Sequence, residues 1–130
     1  MVLLFGSNYK YSSYLQNDCQ CARLPGMTRS YRQKRCPVAR TLDLIGERWT
    51  FLILRDLLLH GPRRYQDLQE SLAVGPNTLS SRLKSMEGSG LVERKLYSEH
   101  PPRLEYTLTD RGKTLGPVLK ALRDWGQRNT

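Results

Sequence analysis

The side chains with most to offer chemically lie in one short run, Gly75-Pro-Asn-Thr-Leu-Ser-Ser-Arg-Leu-Lys-Ser-Met-Glu-Gly88. Thr78, Ser81, Arg82 and Ser85 recur along it, with Ser80 and Lys84 beside them, and Glu87 is its sole acid. These groups supply short hydrogen-bonding arms and one planar cation, not a nucleophile with its base. Small hydroxyl residues let a backbone approach a partner closely, and an arginine fork matches the O6 and N7 acceptors of guanine. On one face of a helix, Asn77, Thr78, Ser81 and Arg82 are suited to reading base edges in a DNA major groove, with Arg82 the best guanine contact.

The segment reads locally as such a helix. Pro76 suits a first turn or its lead-in, Asn77 is a good cap, and Leu79, Leu83 and Met86 form one apolar stripe at i, i+4 and i+7. The polar set is expected opposite that stripe. Gly88 and Gly90 are natural stops.

Elements on either side are needed to hold this helix. Cys36-Pro-Val-Ala-Arg opens a first helix with Pro37 at N1, and Val38, Leu42 and Ile45 lie on one side of it before Gly46. Trp49 to Leu59 is apolar nearly all round and is expected in the middle of the core. Arg55 and Asp56 are its charges, as a buried pair or as groups reaching the rim. After the turn His60-Gly61-Pro62, Arg63 and Arg64 precede a short helix, Tyr65 to Leu72, with Leu68 and Leu72 inward. Ala73-Val74-Gly75 links it to the hydroxyl-rich helix, so the pair makes a helix-turn-helix pattern. Arg63 and Arg64 would then stand beside flanking phosphates, with Tyr65, Ser80 and Lys84 in the same backbone-contacting set.

Beyond Gly90 the period falls to two. Leu91 to Tyr97 and Arg103 to Leu108 read as paired strands, with Leu104, Tyr106 and Leu108 on one face. Ser98-Glu99-His100-Pro101-Pro102 forms the turn between them. A hairpin in that position is a wing. Its Arg94, Lys95, His100 and Arg103 are expected at phosphates or the adjacent minor groove. Thr109 caps the last helix, with Asp110 in its first turn. Pro117 implies a kink or a late start near Gly116. Leu115, Val118, Leu119, Leu122 and Trp125 form a stripe wider than one small domain needs, which suggests dimerisation. The fold class is therefore mainly α (α+β), a winged helix-turn-helix with a two-stranded wing and a long C-terminal dimerisation helix. It fills residues 31–130. Residues 1–30 lack periodicity and read as a flexible or loosely packed tail. Met27 makes a plausible alternative start, which would leave the first 26 residues as an extension.

Composition agrees. Lysine and arginine total 21 against 12 acids, a formal charge of +9 that favours a polyanionic partner. No apolar run reaches membrane-spanning length, and Val2 to Phe5 is too short for a signal peptide, so a cytoplasmic location is expected. Cys19, Cys21 and Cys36 make no disulfide framework, and Cys19 and Cys21 are too close for an easy mutual bond. His60 and His100 lack metal-site spacing, so no metal and no cofactor is expected. Without a nucleophile–base pair or phosphate loop, an enzyme is the least favoured class. A winged-helix protein–protein adaptor without DNA binding is the alternative, and the basic groove-facing surface argues against it. Cys36 stands at a helix N-terminus behind Lys34 and Arg35, where dipole and cations favour thiolate. It is a candidate redox sensor, or simply a small capping side chain.

Residues 36–126 resemble the HxlR-type family of bacterial winged-helix transcription regulators. The matching segments are Cys36-Pro-Val, Leu42-Asp-Leu-Ile-Gly46, Arg48-Trp49-Thr50, Gly61-Pro-Arg-Arg-Tyr65, Pro76-Asn-Thr-Leu-Ser80, Arg82-Leu-Lys84, Gly90-Leu-Val92, Tyr97 to Pro102, Tyr106-Thr-Leu-Thr109 and Gly112. Their order makes the match more specific than any single motif. The resemblance implies a homodimer on a pseudo-palindromic operator in double-stranded DNA, paired through the first and last helices, which brings Val38 and Leu42 into the interface with the C-terminal stripe. Some members respond to electrophiles or oxidants through an N-terminal cysteine, and Cys36 occupies that position. The tail with Cys19 and Cys21 departs from the pattern.

Overall fold

A computed structural model describes residues 36–130. The tail, Cys19, Cys21, Met27, Lys34 and Arg35 lie outside the described residues. The chain divides into two compact units, Met1–Asp43 and Leu44–Thr130.

In the first unit, Cys36 is half-buried and leads into helix α1, Pro37–Ile45. Pro37 takes N1 as the sequence predicts, since its missing N–H is one the helix start leaves unpaired anyway. Val38 and Leu42 are 51% and 55% exposed.

The second unit begins within the last turn of α1 and continues as α2 (Arg48–His60), α3 (Tyr65–Leu72), α4 (Pro76–Gly88), β1 (Val92–Glu99), β2 (Pro102–Leu108), α5 (Asp110–Lys113) and α6 (Gly116–Asn129). Its core draws Ile53, Leu54 and Leu57 from α2, Leu68 and Leu72 from α3, and Leu79, Leu83 and Met86 from α4. Ile45, Val74, Leu91, Val92 and Leu108 close it. Helix α2 is not enclosed all round, as its composition suggested. Leu58 and Leu59 are 36% and 68% exposed. Thr50, Ile53, Leu54, Asp56 and Leu57 form the buried face, so the surplus leucines lie on the side toward α6.

Asp56 resolves the question left by the Arg55–Asp56 pair. Its side chain is 2% exposed, whereas that of Arg55 is 46% exposed, so the acid is inside and the cation at the rim. The Asp56 carboxylate accepts from the Arg55 guanidinium at 2.9 and 3.2 Å and from the Ser71 hydroxyl at 2.5 Å, which ties α2 to α3. Burial pushes the Asp56 carboxyl up, but the Ser71 hydroxyl, the Arg55 guanidinium and the charge of His60 outweigh it and hold the acid below its ordinary value. Its stabilising contribution is therefore complete above the unfolded value near 4 and is lost as pH falls through the lower folded value. Asp56→Ala is expected to cost about 1–3 kcal/mol at neutral pH, because the hydrogen bonds that the charged Asp56 carboxylate accepts from Ser71 and Arg55 are lost and α2 is no longer tied to α3. Urea melts at pH 7 and pH 3 check this, and the gap between wild type and variant should narrow at the lower pH.

The two strands pair antiparallel, with Val92 opposite Leu108, Arg94 opposite Tyr106 and Leu96 opposite Leu104, and with an irregularity between Leu96 and Ser98. The strands run further toward the turn than the sequence predicts, to Glu99 and from Pro102. The His100–Pro101 peptide is cis. The expected common face of Leu104, Tyr106 and Leu108 is graded: Leu108 is buried, Tyr106 half-buried and Leu104 47% exposed, because the hairpin projects beyond the core. At the C-terminus the single expected helix is two. Thr109 caps α5 by accepting from the Gly112 N–H at 3.1 Å. Pro117 then falls in the first turn of α6, where its missing N–H is tolerated.

Candidate nucleic-acid interface

Helix α4 starts two residues earlier than the capping signal suggested. Gly75 is the N-cap and Pro76 is N1, which puts Asn77 inside the helix. Proline fixes φ and lacks a donor, so it takes the first helical position and displaces Asn77 from the cap. The Asn77 side chain is consequently exposed on the helix. At the other end, Gly90 adopts φ +74°. The Gly90 N–H donates to the Glu87 carbonyl at 3.0 Å and the Leu91 N–H to the Met86 carbonyl at 2.9 Å. This Schellman arrangement stops α4 and turns the chain into β1.

The inner side of α4 is fixed by Leu79, Leu83 and Met86, exposed by no more than 1%. Asn77, Thr78, Ser80, Ser81, Lys84 and Ser85 are all exposed. Arg82 departs from the expected arrangement. It lies three residues after Leu79 and four before Met86, the spacing of same-side neighbours, so it flanks the apolar stripe instead of opposing it. Its side chain is 26% exposed, and its guanidinium meets the Glu47 carboxylate, at the start of α2, at 3.2 Å. The outermost face therefore comprises Asn77, Thr78, Ser81, Lys84 and Ser85, with Arg82 at its edge.

Helix α3 is bound to α4 through Tyr65. The Tyr65 hydroxyl donates to the Pro76 carbonyl at 2.8 Å and shares a hydrogen bond with the Ser80 hydroxyl at 3.1 Å. These two residues thus brace the helix pair, a contact over 15 positions that the sequence did not disclose. The turn between the helices has Ala73 in the left-handed region at φ 50°. Arg64 is the N-cap of α3. Its backbone N–H and its guanidinium both donate to the Asp67 carboxylate, at 3.0 to 3.1 Å. The Asp67 carboxylate, and after it the Tyr97 hydroxyl, hold the Arg64 guanidinium above its ordinary value. Arg64 in turn holds Asp67 below the usual carboxylate range.

Arg63 adds a third short strand position beside the wing. Its N–H donates to the Tyr106 carbonyl at 2.9 Å and it accepts the Tyr106 N–H at 2.7 Å. Burial, and after it the charge of Glu87, pushes the Tyr106 hydroxyl up. On the wing, Arg94 pairs with Glu87 at the end of α4 at 3.2 Å, and Lys95 pairs with Glu93 at 3.3 Å. His100 and Arg103 are exposed toward the turn. Among the described residues, Lys84, His100 and Arg103 form no ion pair within 4 Å. The expected DNA-facing positions are spread over the approach to α3 (Arg63 and Arg64), α3 itself (Tyr65), α4 and the hairpin, and among them Arg64, Arg82, Arg94 and Lys95 are already engaged by acids. Glu47 and Asp67 had no place in the sequence reading, and Glu87 entered it only as the sole acid of the α4 segment. Only Asp67, at the capping-box spacing from residue 64, had a local signal.

Two short helices at a tight turn, the second outward-facing, followed at once by an antiparallel hairpin, define a winged helix-turn-helix protein. Comparison with known proteins narrows the class. The family model described as HxlR-like helix-turn-helix matches residues 44–130. An uncharacterized HTH-type transcriptional regulator of Halalkalibacterium halodurans is 43% identical over 94 residues, covering 72% of this chain and 83% of the relative. Among solved structures, the redox regulator HypR in its oxidized form is similar at 32% identity and a TM-score of 0.67, over 73% of this chain and 98% of HypR. The reduced form of the transcriptional regulator YodB from Bacillus subtilis is similar at 30% identity and a TM-score of 0.61, over 72% of this chain and 93% of YodB. This chain belongs to the HxlR-like helix-turn-helix family, and it is a DNA-binding transcriptional regulator, not an enzyme. No helix among the described residues is long and apolar enough to cross a membrane.

Proposed function

We propose that the protein is a homodimeric, sequence-specific regulator that reads a pseudo-palindromic operator in double-stranded DNA in the cytoplasm, with residues 31–130 forming the DNA-binding and dimerisation domain. The observation that carries this reading is the two-sidedness of α4: Leu79, Leu83 and Met86 anchor it while its short polar side chains face outward. Asn77, Thr78 and Ser81 meet base edges, and Arg82 reaches a guanine from the margin of the same face. The Arg82–Glu47 pair is open to solvent on its Glu47 side, and such surface pairs contribute about 1 kcal/mol or less, so the pairing leaves that reach open. Lys84, Arg63, Arg64, Arg94, Lys95, His100 and Arg103 position the protein on phosphates, a sequence-blind and salt-dependent contribution. Tyr65 and Ser80 serve this set by bracing α4 and standing at its edge. The second copy covers the open side of α6, where Val118, Leu122 and Trp125 are 44%, 52% and 59% exposed. Leu119 and Leu122 also line an apolar groove of about 470 Å³ with Phe51, Leu52, Leu58 and Leu59. Leu115 is half-buried at the start of that stripe. Val38 and Leu42 are further apolar surface for the same partner.

A selection of bound duplexes from a random library, followed by titration with Arg82→Ala, tests the reading. The variant is expected to lose about 1–3 kcal/mol of discrimination at one base position. Loss spread evenly over all sequences would make Arg82 a phosphate contact.

Redox or electrophile control through Cys36 is favoured by its half-buried place immediately before the N1 proline of α1, where a thiolate is stabilised, and by the likeness to a protein described as a redox regulator. Diamide is expected to weaken DNA binding of the wild type and to leave Cys36→Ser unchanged. Equal sensitivity of the two proteins would remove Cys36 from the mechanism.

A further inference from the structure

Helix α4 carries two cations with opposite environments. Lys84 is exposed and, among the described residues, has no acid within 4 Å. Arg82 is largely covered and faces Glu47 at 3.2 Å. Glu47 itself is 61% exposed in its side chain, and although it stands at the N-cap of α2, that side chain makes no capping hydrogen bond. An acid at a helix start favours the dipole modestly. Here, however, the carboxylate is spent neither on the cap nor on the core. Among the described residues its one ion-pair partner is the arginine beside the base-reading face.

We infer that Glu47 is a specificity-determining residue: its carboxylate restrains the Arg82 guanidinium and so suppresses indiscriminate contact between Arg82 and DNA phosphates. This rests on the reading of α4 as the base-reading helix. An unrestrained arginine at the edge of a major-groove helix would swing to the nearest phosphate on any sequence, because the Coulomb attraction is sequence-blind. With Glu47 in place, that swing separates an ion pair and leaves a carboxylate facing the phosphates. A guanine edge offers two neutral acceptors in the plane of the fork, so that contact depends on geometry, whereas a phosphate gains chiefly from net charge, which the Glu47 carboxylate offsets. Glu47 therefore weakens non-specific binding more than specific binding, and its effect on selectivity runs through Arg82. It is a positioning residue, acting on DNA at second hand.

Glu47→Gln removes the charge, keeps a hydrogen-bonding side chain and disturbs no cap. Wild type, Glu47→Gln, Arg82→Ala and the double variant are titrated over a salt series against a selected duplex and against a random duplex of equal length. Glu47→Gln is expected to bind the random duplex several-fold tighter, to raise the magnitude of its log–log salt slope by about 1.8 for the dimer, about 0.9 for each Arg82 released, and to lower the ratio of selected to random affinity. In the Arg82→Ala background the same substitution should change that ratio little, and thermal melts of the single variants should match wild type. If Glu47→Gln tightens binding equally with and without Arg82, Glu47 merely repels DNA and the inference is wrong. An unchanged ratio in a wild-type protein that does select a sequence also overturns it, leaving the function intact. A wild type that binds both duplexes alike overturns the function and the inference together.

Discussion

Replacing Leu83 by alanine is expected to cost about 2–5 kcal/mol of stability and to abolish specific DNA binding near the melting range of the variant. Leu83 is fully buried at the centre of the stripe that fixes α4, between Leu79 and Met86. Removing the isopropyl group beyond Cβ leaves a cavity in the core that α4 shares with α2 and β1. Leu79 and Met86 on the same helix are themselves tightly buried, so the surroundings close on the cavity only partly. A single domain has only about 5–15 kcal/mol to lose, so the variant should melt many degrees lower. The contrast is with Ser81→Ala on the outer side of the same helix. It should leave the melt unchanged and reduce only affinity for the selected sequence. Urea melts and duplex titrations of both variants separate the two sides of the helix. Equal melts for Leu83→Ala and wild type would mean that α4 is not anchored as described.

Gly112→Ala is expected to be nearly as damaging, for a steric reason. A Cβ at position 112 would lie 2.2 Å from the Leu91 carbonyl oxygen and 3.0 Å from Leu108 Cδ2. The first obstacle is backbone at the entrance to β1, and no side-chain rotation relieves it. Overpacking of this kind costs about 1–3 kcal/mol. The damage should also be local. Around the same point the Thr109 hydroxyl donates to the Gly90 carbonyl, and the Arg111 guanidinium donates to the Ser89 carbonyl at 2.6 Å. These bonds join α5 to the loop that ends α4 and begins the wing. Displacing α5 moves that joint, so DNA affinity should fall even at temperatures where Gly112→Ala remains folded. Calorimetry paired with binding at low temperature checks both parts. A variant with wild-type stability would require Leu91 and α5 to lie farther apart than they do.

Much of this architecture was legible because it is written in local patterns. The i, i+4, i+7 spacing of Leu79, Leu83 and Met86 named the buried side of α4. The change of period after Gly90 named the wing, and Pro117 foretold the late start of α6. What sequence did not disclose depends on chain segments that meet only in three dimensions. Ser71 finds Asp56, Tyr65 finds Ser80, Arg63 bridges to Tyr106, and Glu47 finds Arg82. Two misplacements were avoidable in principle. Pro76 takes N1 by its own covalent geometry, which excludes Asn77 from the cap. The helical spacing from Leu79 and Met86 puts Arg82 beside the apolar stripe, not opposite it. The exposed leucines of α2 show the limit of composition. An apolar helix belongs against something apolar, but the pattern does not say whether that surface is its own core or another chain.

The most direct test of α4 as the base-reading element is methylation interference on a selected duplex. Methyl groups on purine N7 project into the major groove, whereas those on adenine N3 project into the minor groove. N7 methylation is expected to block binding in two clusters centred about 10 base pairs apart, one DNA turn, as two copies of α4 on one face would require. Binding that tolerates N7 methylation throughout would contradict entry of α4 into the major groove.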